Sequence, residues 1–88
     1  MKMPLNFAIL QYFTTMERAS ADEVIAALAP EYGNYRGLRR SAVEEALKTA
    51  EVNGLLEVAG VELDAEDHLL VYYTANDESR QSIHKYLD

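Results

Sequence analysis

The segment from Ser41 to Leu56 constrains this chain more than any other, because both ends of a helix are written into it. Ser41 followed three residues later by Glu44 is a capping box: the hydroxyl accepts from a first-turn N–H while the carboxylate reaches back to the capping residue's own N–H. Val43, Leu47 and Ala50, with Ala46 beside them, form one apolar stripe at helical spacing. Gly54 supplies a left-handed residue that ends the helix without a Cβ penalty, and Leu55-Leu56 opens a buried strand. The spacing predicts a helix over 41–53, approached through Arg36-Gly37-Leu38-Arg39-Arg40. Leu38 is expected to tuck into the core from a preliminary helical turn.

Two helices precede it. Leu5, Ala8, Ile9, Tyr12, Phe13 and Met16 recur at three- and four-residue intervals, and Pro4 suits a first turn, so the first helix is placed near 4–16. Glu17-Arg18-Ala19 reads as a short connector with room for one extended pair. Ser20-Ala21-Asp22-Glu23 repeats the capping-box pattern, with acidic residues where the helix dipole favours them. This second helix, near 20–30, should stop about Ala29, because Pro30 disfavours the helical conformation in the residue before it. Gly33-Asn34 is a turn signal, making the linker longer than that of a minimal helix-turn-helix.

Beyond Gly54, Leu55 to Leu63 and His68 to Thr74 form a hairpin. Leu56 and Val58 alternate with Glu57, and Val71, Tyr72 and Tyr73 are strong strand formers. Its tip, Asp64-Ala65-Glu66-Asp67, lacks the Asn-Gly or Asp-Gly of a two-residue turn, and Gly60 is a candidate bulge. A last helix follows near 76–87, with Asp77 and Glu78 at its positive end and His84 and Lys85 at its negative end. Ile83, Tyr86 and Leu87 are placed to pack back on the body. The expected core is Leu5, Ile9, Phe13, Val24, Ile25, Leu28, Leu38, Val43, Leu47, Leu56, Val71 and Ile83.

Residues 1–88 make one α+β domain with no cysteine, hence neither a disulfide framework nor a thiolate zinc site. Pro4 stands two residues after Lys2, and no apolar run approaches the roughly 20 residues of a membrane span, so a cytoplasmic protein is expected. The net charge of −7 is unevenly spread. From Thr49 to Ser79 there is no Lys or Arg, while Arg36, Arg39 and Arg40 stand together.

A capped helix, a Gly turn and an apolar strand entry, after two helices and before a hairpin and final helix, resembles the winged helix-turn-helix superfamily. Ser41, Val43, Leu47, Ala50, Gly54, Leu55 and Leu56 sit where small bacterial winged-helix regulators carry the cap, the core stripe and the strand entry. Tyr72-Tyr73-Thr74 is similar to the exit from the wing in such regulators. The resemblance implies a three-helix core, a two-stranded wing, a C-terminal helix, and binding of double-stranded DNA through the third helix. The residues expected at DNA are Arg36, Arg39, Arg40, Ser41, Glu44, Glu45 and Lys48, the arginines on phosphates and Lys48 near the groove edge. A homodimer is left open, with the final helix as its natural contact.

Other features pull against this reading. Where the family offers small polar or basic groups after the first core Val, this chain has Glu44 and Glu45, and its wing carries Glu62, Asp64, Glu66 and Asp67. The alternative is a protein-interaction module that binds a basic partner and no DNA. The arginine cluster is equally consistent with a phosphate clamp and with pairing to nearby carboxylates. Tyr32 and Tyr35 are expected to close over a core edge rather than stack on bases. Asp64, Glu66, Asp67 and His68 lack the Gly and spacing of a calcium loop and read as a solvated tip. With no phosphate loop, nucleophile elbow or HExxH pattern, the chain is read as not an enzyme, with no metal and no cofactor.

Overall fold

The computed structural model describes residues 4–33 and 36–87, without the side chains of Tyr86 and Leu87. In chain order its elements are α1 (Leu5–Thr15), β1 (Ala19–Ser20), α2 (Ala21–Tyr32), a 3₁₀ turn (Arg36–Leu38), α3 (Arg40–Val52), β2 (Glu57–Leu63), β3 (Leu69–Thr74) and α4 (Asp77–Leu87). The sheet is antiparallel in the order β1-β3-β2, which leaves β2 on a free edge among the described residues.

Local chemistry accounts for most of the boundaries. Ser20 caps α2 as a full capping box: its Oγ accepts from the Glu23 N–H, and Glu23 Oε1 accepts from the Ser20 N–H. The short connector does pair, Ala19 opposite Tyr73 and Ser20 opposite Tyr72, so one serine both ends a strand and starts a helix. At the far end of α3, Gly54 has φ of +80°. The Gly54 N–H donates to the Glu51 carbonyl and the Leu55 N–H to the Ala50 carbonyl, the paired bonds of a Schellman stop. Asn76 caps α4 by accepting from the Ser79 N–H, and the buried Ser79 hydroxyl donates to the Gly54 carbonyl, tying α4 to that same turn.

Two expectations are corrected. The Ser41–Glu44 capping box does not form: α3 starts at Arg40, its N-cap is Arg39 with no side-chain cap, and the Val43 N–H donates to the Arg39 carbonyl. Leu38, buried in the 3₁₀ turn, sets the approach, so the helix begins before Ser41, which becomes a first-turn residue. In the second case, α2 runs through Pro30 to Tyr32. Proline removes one N–H near the helix end, beside exposed residues, and buried Tyr32 anchors the extra turn. Tyr32 thus sits at a helix end rather than in a loop; Asn34 and Tyr35 lie outside the described residues.

The core lies between the helices and the inner face of the sheet. Phe13, Val24, Val43, Leu47, Leu56 and Ile83 are essentially inaccessible, with Leu5, Ile9 and Leu38 buried beside them as expected. Ile25, Leu28 and Val71 are only partly buried and pack against this cluster, whereas Ala19, Tyr32, Tyr73 and Ala75 belong to it. α1 packs on α4, α2 on α3, and β3 joins the other two strands, while residues of α3 and β3 line a common cleft.

Candidate nucleic-acid interface

α3 buries Val43, Leu47 and Ala50, and the residues opposite that stripe form its outer ridge. With 3.6 residues per turn, Ser41, Glu45, Lys48 and Val52 fall on one line facing away from the core. All four are exposed, Val52 at 84%. On the flank toward the hairpin run Arg40, Glu44, Lys48 and Glu51. The two adjacent glutamates therefore diverge: Glu44 turns toward the wing, and Glu45 stands on the ridge and borders a groove against α1.

The arginine cluster divides as well. Arg40 Nε donates to Glu44 Oε1 at 2.9 Å and lies 3.7 Å from Asp22 Oδ1, so its charge is matched within the domain. Arg36 and Arg39 are exposed and make no ion pair among the described residues. Lys48 is exposed and lines, with Asp22, Arg40, Glu44, Leu69, Val71 and Tyr73, a cleft of about 240 Å³ between α3 and β3. Burial raises the Tyr73 phenol above its ordinary pKa, and the negative charges of Glu51 and Glu44 add to that shift.

The wing carries a bulge at the expected place. Val58 pairs with Tyr73 and Gly60 with Tyr72, which leaves Ala59 as the extra residue of β2. Arg18, from the connector before β1, lies 4.6 Å over the Tyr72 ring and against Gly60. At the tip Asp64 Oδ1 accepts from the N–H groups of Glu66 and His68, and Asp67 takes a left-handed φ of 62°. These bonds, the one from His68 foremost, hold the Asp64 carboxyl below its ordinary pKa. His68 Nδ1 sits 3.4 Å from Asp64 and 3.7 Å from Glu66, and no group of three possible metal ligands clusters among the described residues. No helix there is long and apolar enough to cross a membrane.

Two features of this side went unread in the sequence. One is the pairing of Arg40 to Asp22, which depends on how α2 packs on α3. The other is the apolar wall that the wing turns toward α3, which depends on the bulge.

No family model and no curated protein matches the chain. Among solved structures it is similar to PadR of Bacillus subtilis, determined in complex with operator DNA, at 20% identity and a TM-score of 0.74. The alignment covers 94% of this chain and 47% of PadR, so the chain spans about half the length of that protein. The likeness, together with the helix order and the hairpin, establishes the fold as a winged helix-turn-helix.

Proposed function

We propose that residues 1–88 form one winged-helix domain that binds double-stranded DNA in the manner of a transcription regulator, and that it is a binding module rather than an enzyme. The observation that carries this reading is the likeness, over nearly the whole chain, to PadR solved in complex with operator DNA. The outer ridge of α3 would enter the major groove, with Arg36 and Arg39 on backbone phosphates at its entry and Lys48 near the groove edge. Glu45, on the ridge, suits acceptance from a cytosine amino group and disfavours phosphate. Because the wing has no Lys or Arg, the affinity of one copy rests on few phosphate contacts, and two copies on adjacent half-sites would supply the rest. Such a role belongs in the cytoplasm.

The test is titration of the domain with mixed-sequence duplex DNA at low salt, repeated as salt is raised. Saturable binding that weakens with salt is expected; no binding at tens of micromolar, or binding indifferent to salt, overturns the reading.

The second reading, a module for a basic protein partner without DNA binding, is favoured by one observation. The whole span from Thr49 to Ser79, which includes the wing, is devoid of Lys and Arg. Recovery of a protein partner that survives nuclease treatment, with no DNA binding by the pure domain, would select it.

A further inference from the structure

Of the large apolar side chains left exposed among the described residues, Met16 and Val52 lie elsewhere, and Val58, Val61, Leu63 and Leu69 all lie on the hairpin. The register places them together. Val58 pairs with Tyr73, Val61 with Val71 and Leu63 with Leu69, and residues opposite one another in a sheet share a face. Val58 and Val61 are three apart and would face opposite ways in a regular strand; the extra residue at Ala59 brings them to the same side. The result is a continuous apolar ladder from buried Tyr73 to the tip, with Val61, Leu63 and Leu69 at 55%, 64% and 60% exposure. The opposite face of β2 carries Glu62, opposite Leu70, and Glu57, opposite Thr74.

We infer that the free edge of β2 takes an added strand from a basic protein partner, one alternating apolar and cationic side chains. This surface deepens the second reading above and is also compatible with DNA held by α3. An unpaired strand edge presents a row of backbone donors and acceptors for another chain. Laid along β2, an extended segment repeats its side chains on a face about every 6.8 Å, the repeat of the ladder itself. Its apolar residues would extend the Val61–Leu63–Leu69 face, and its Lys or Arg residues would fall on the face of Glu62, toward the tip from Arg18, which covers Tyr72, and from Glu57, which accepts from the Asn76 amide at 2.7 Å. Carboxylates outnumber cations around the site: Glu66 and Asp67 stand at the tip, and Glu44 and Glu51 share the facing helix with Lys48 and with Arg40, which is itself paired to Glu44. A second copy is a poor occupant, because pairing β2 with β2 brings the glutamates of two chains together, each chain at −7. Phosphate is a poor occupant because the carboxylates of this edge and tip repel it.

The experiment uses the full chain and a fluorescein-labelled peptide of about eight residues, a common strand length, alternating Val and Lys. Controls are the same residues in block order and an alternating Val/Glu peptide. Saturable binding by the Val/Lys peptide alone is expected, with slowed amide exchange along Val61–Leu63. Val61→Thr and Leu69→Thr, which keep strand propensity and replace exposed side chains, should each weaken binding by about three- to tenfold, with unchanged circular dichroism melts. Glu62→Gln should weaken it a fewfold and flatten its salt dependence. The inference is overturned by no saturable binding, by equal binding of either control, by unchanged affinity in the Thr variants, or by protection that falls outside the hairpin. Self-association that the Thr variants abolish would assign the edge to a second copy and overturn it too. Duplex DNA titrated against the same variants separates the two claims. Unchanged DNA affinity in the variants is expected, its loss would put DNA on the wing and overturn the inference, and failure of the wild type to bind DNA strikes the DNA reading alone.

Discussion

Arg40 is held by Glu44 across one helical turn, Nε to Oε1 at 2.9 Å, with Asp22 of α2 3.7 Å away. The three arginines before and at the start of α3 are therefore unequal. An arginine already matched by carboxylates must give up that pairing to hold a phosphate, whereas Arg36 and Arg39 have none among the described residues to give up. On the DNA reading, Arg36→Ala and Arg39→Ala should each weaken binding about equally for all sequences and lower the salt slope by roughly one. Arg40→Ala should do less. Fluorescence anisotropy across a salt series measures this, and thermal melts of these surface variants should stay within about 0.5 kcal/mol of the parent.

The glutamates of α3 give a prediction with opposite signs. Glu45→Gln removes a negative charge from the outer ridge and should tighten non-specific DNA binding; Glu44→Gln should do so too, by loosening Arg40. For a basic protein partner the same changes should weaken association and slow its on-rate. Stopped-flow association with DNA and with a cationic peptide distinguishes the two.

Gly54 tests the turn that joins α3 to the wing. A Cβ there meets no atom within 4 Å, so substitution isolates the backbone conformation at φ +80°. Gly54→Ala should destabilise the domain by about 1–2 kcal/mol, the cost of the left-handed conformation for a residue with a Cβ, read as a lower urea midpoint at constant slope.

Core and cap variants should rank by burial. Leu47→Ala, at a fully buried site, is expected to cost about 2–5 kcal/mol, and Ser20→Ala, which breaks a complete capping box, about 1 kcal/mol. Ser41→Ala should change stability far less than Ser20→Ala, because Ser41 caps nothing. Urea unfolding of the three variants checks the order.

The wing tip should respond to acid. The Asp64 carboxyl has its pKa lowered in the folded chain, chiefly by the N–H of His68. A depressed folded value means that the order it confers is present above the unfolded pKa and is lost as pH falls through the folded one. The amide resonances of Glu66 and His68 should therefore move together in an NMR titration at acid pH, and Asp64→Asn should abolish that step.

Much of this architecture was legible because its signals are local. Helical periodicity located α1 and α3, Gly54 announced the stop of α3, the Ser20–Glu23 pair announced the start of α2, and Gly60 lies at the bulge. What the sequence hid was set by packing. The Ser41 box was outweighed by buried Leu38, which starts the helix earlier, and Pro30 was tolerated because Tyr32 is buried beyond it. At the site, the candidate residues were visible as charges, but their pairing was not. Arg40 is engaged by a residue on another helix, and the two neighbouring glutamates point different ways. The apolar ladder was concealed by the bulge, which puts residues three apart on one face and breaks the alternation by which a strand face is recognised.

The outer ridge of α3 as the DNA-reading surface is the central claim, and backbone NMR of the domain titrated with duplex DNA tests it most directly. The account predicts the largest shifts at Ser41, Glu45, Lys48 and Val52, with Arg36 and Arg39 next and little change along α4. Shifts confined to α1 and α4, or none at saturating DNA, would contradict it.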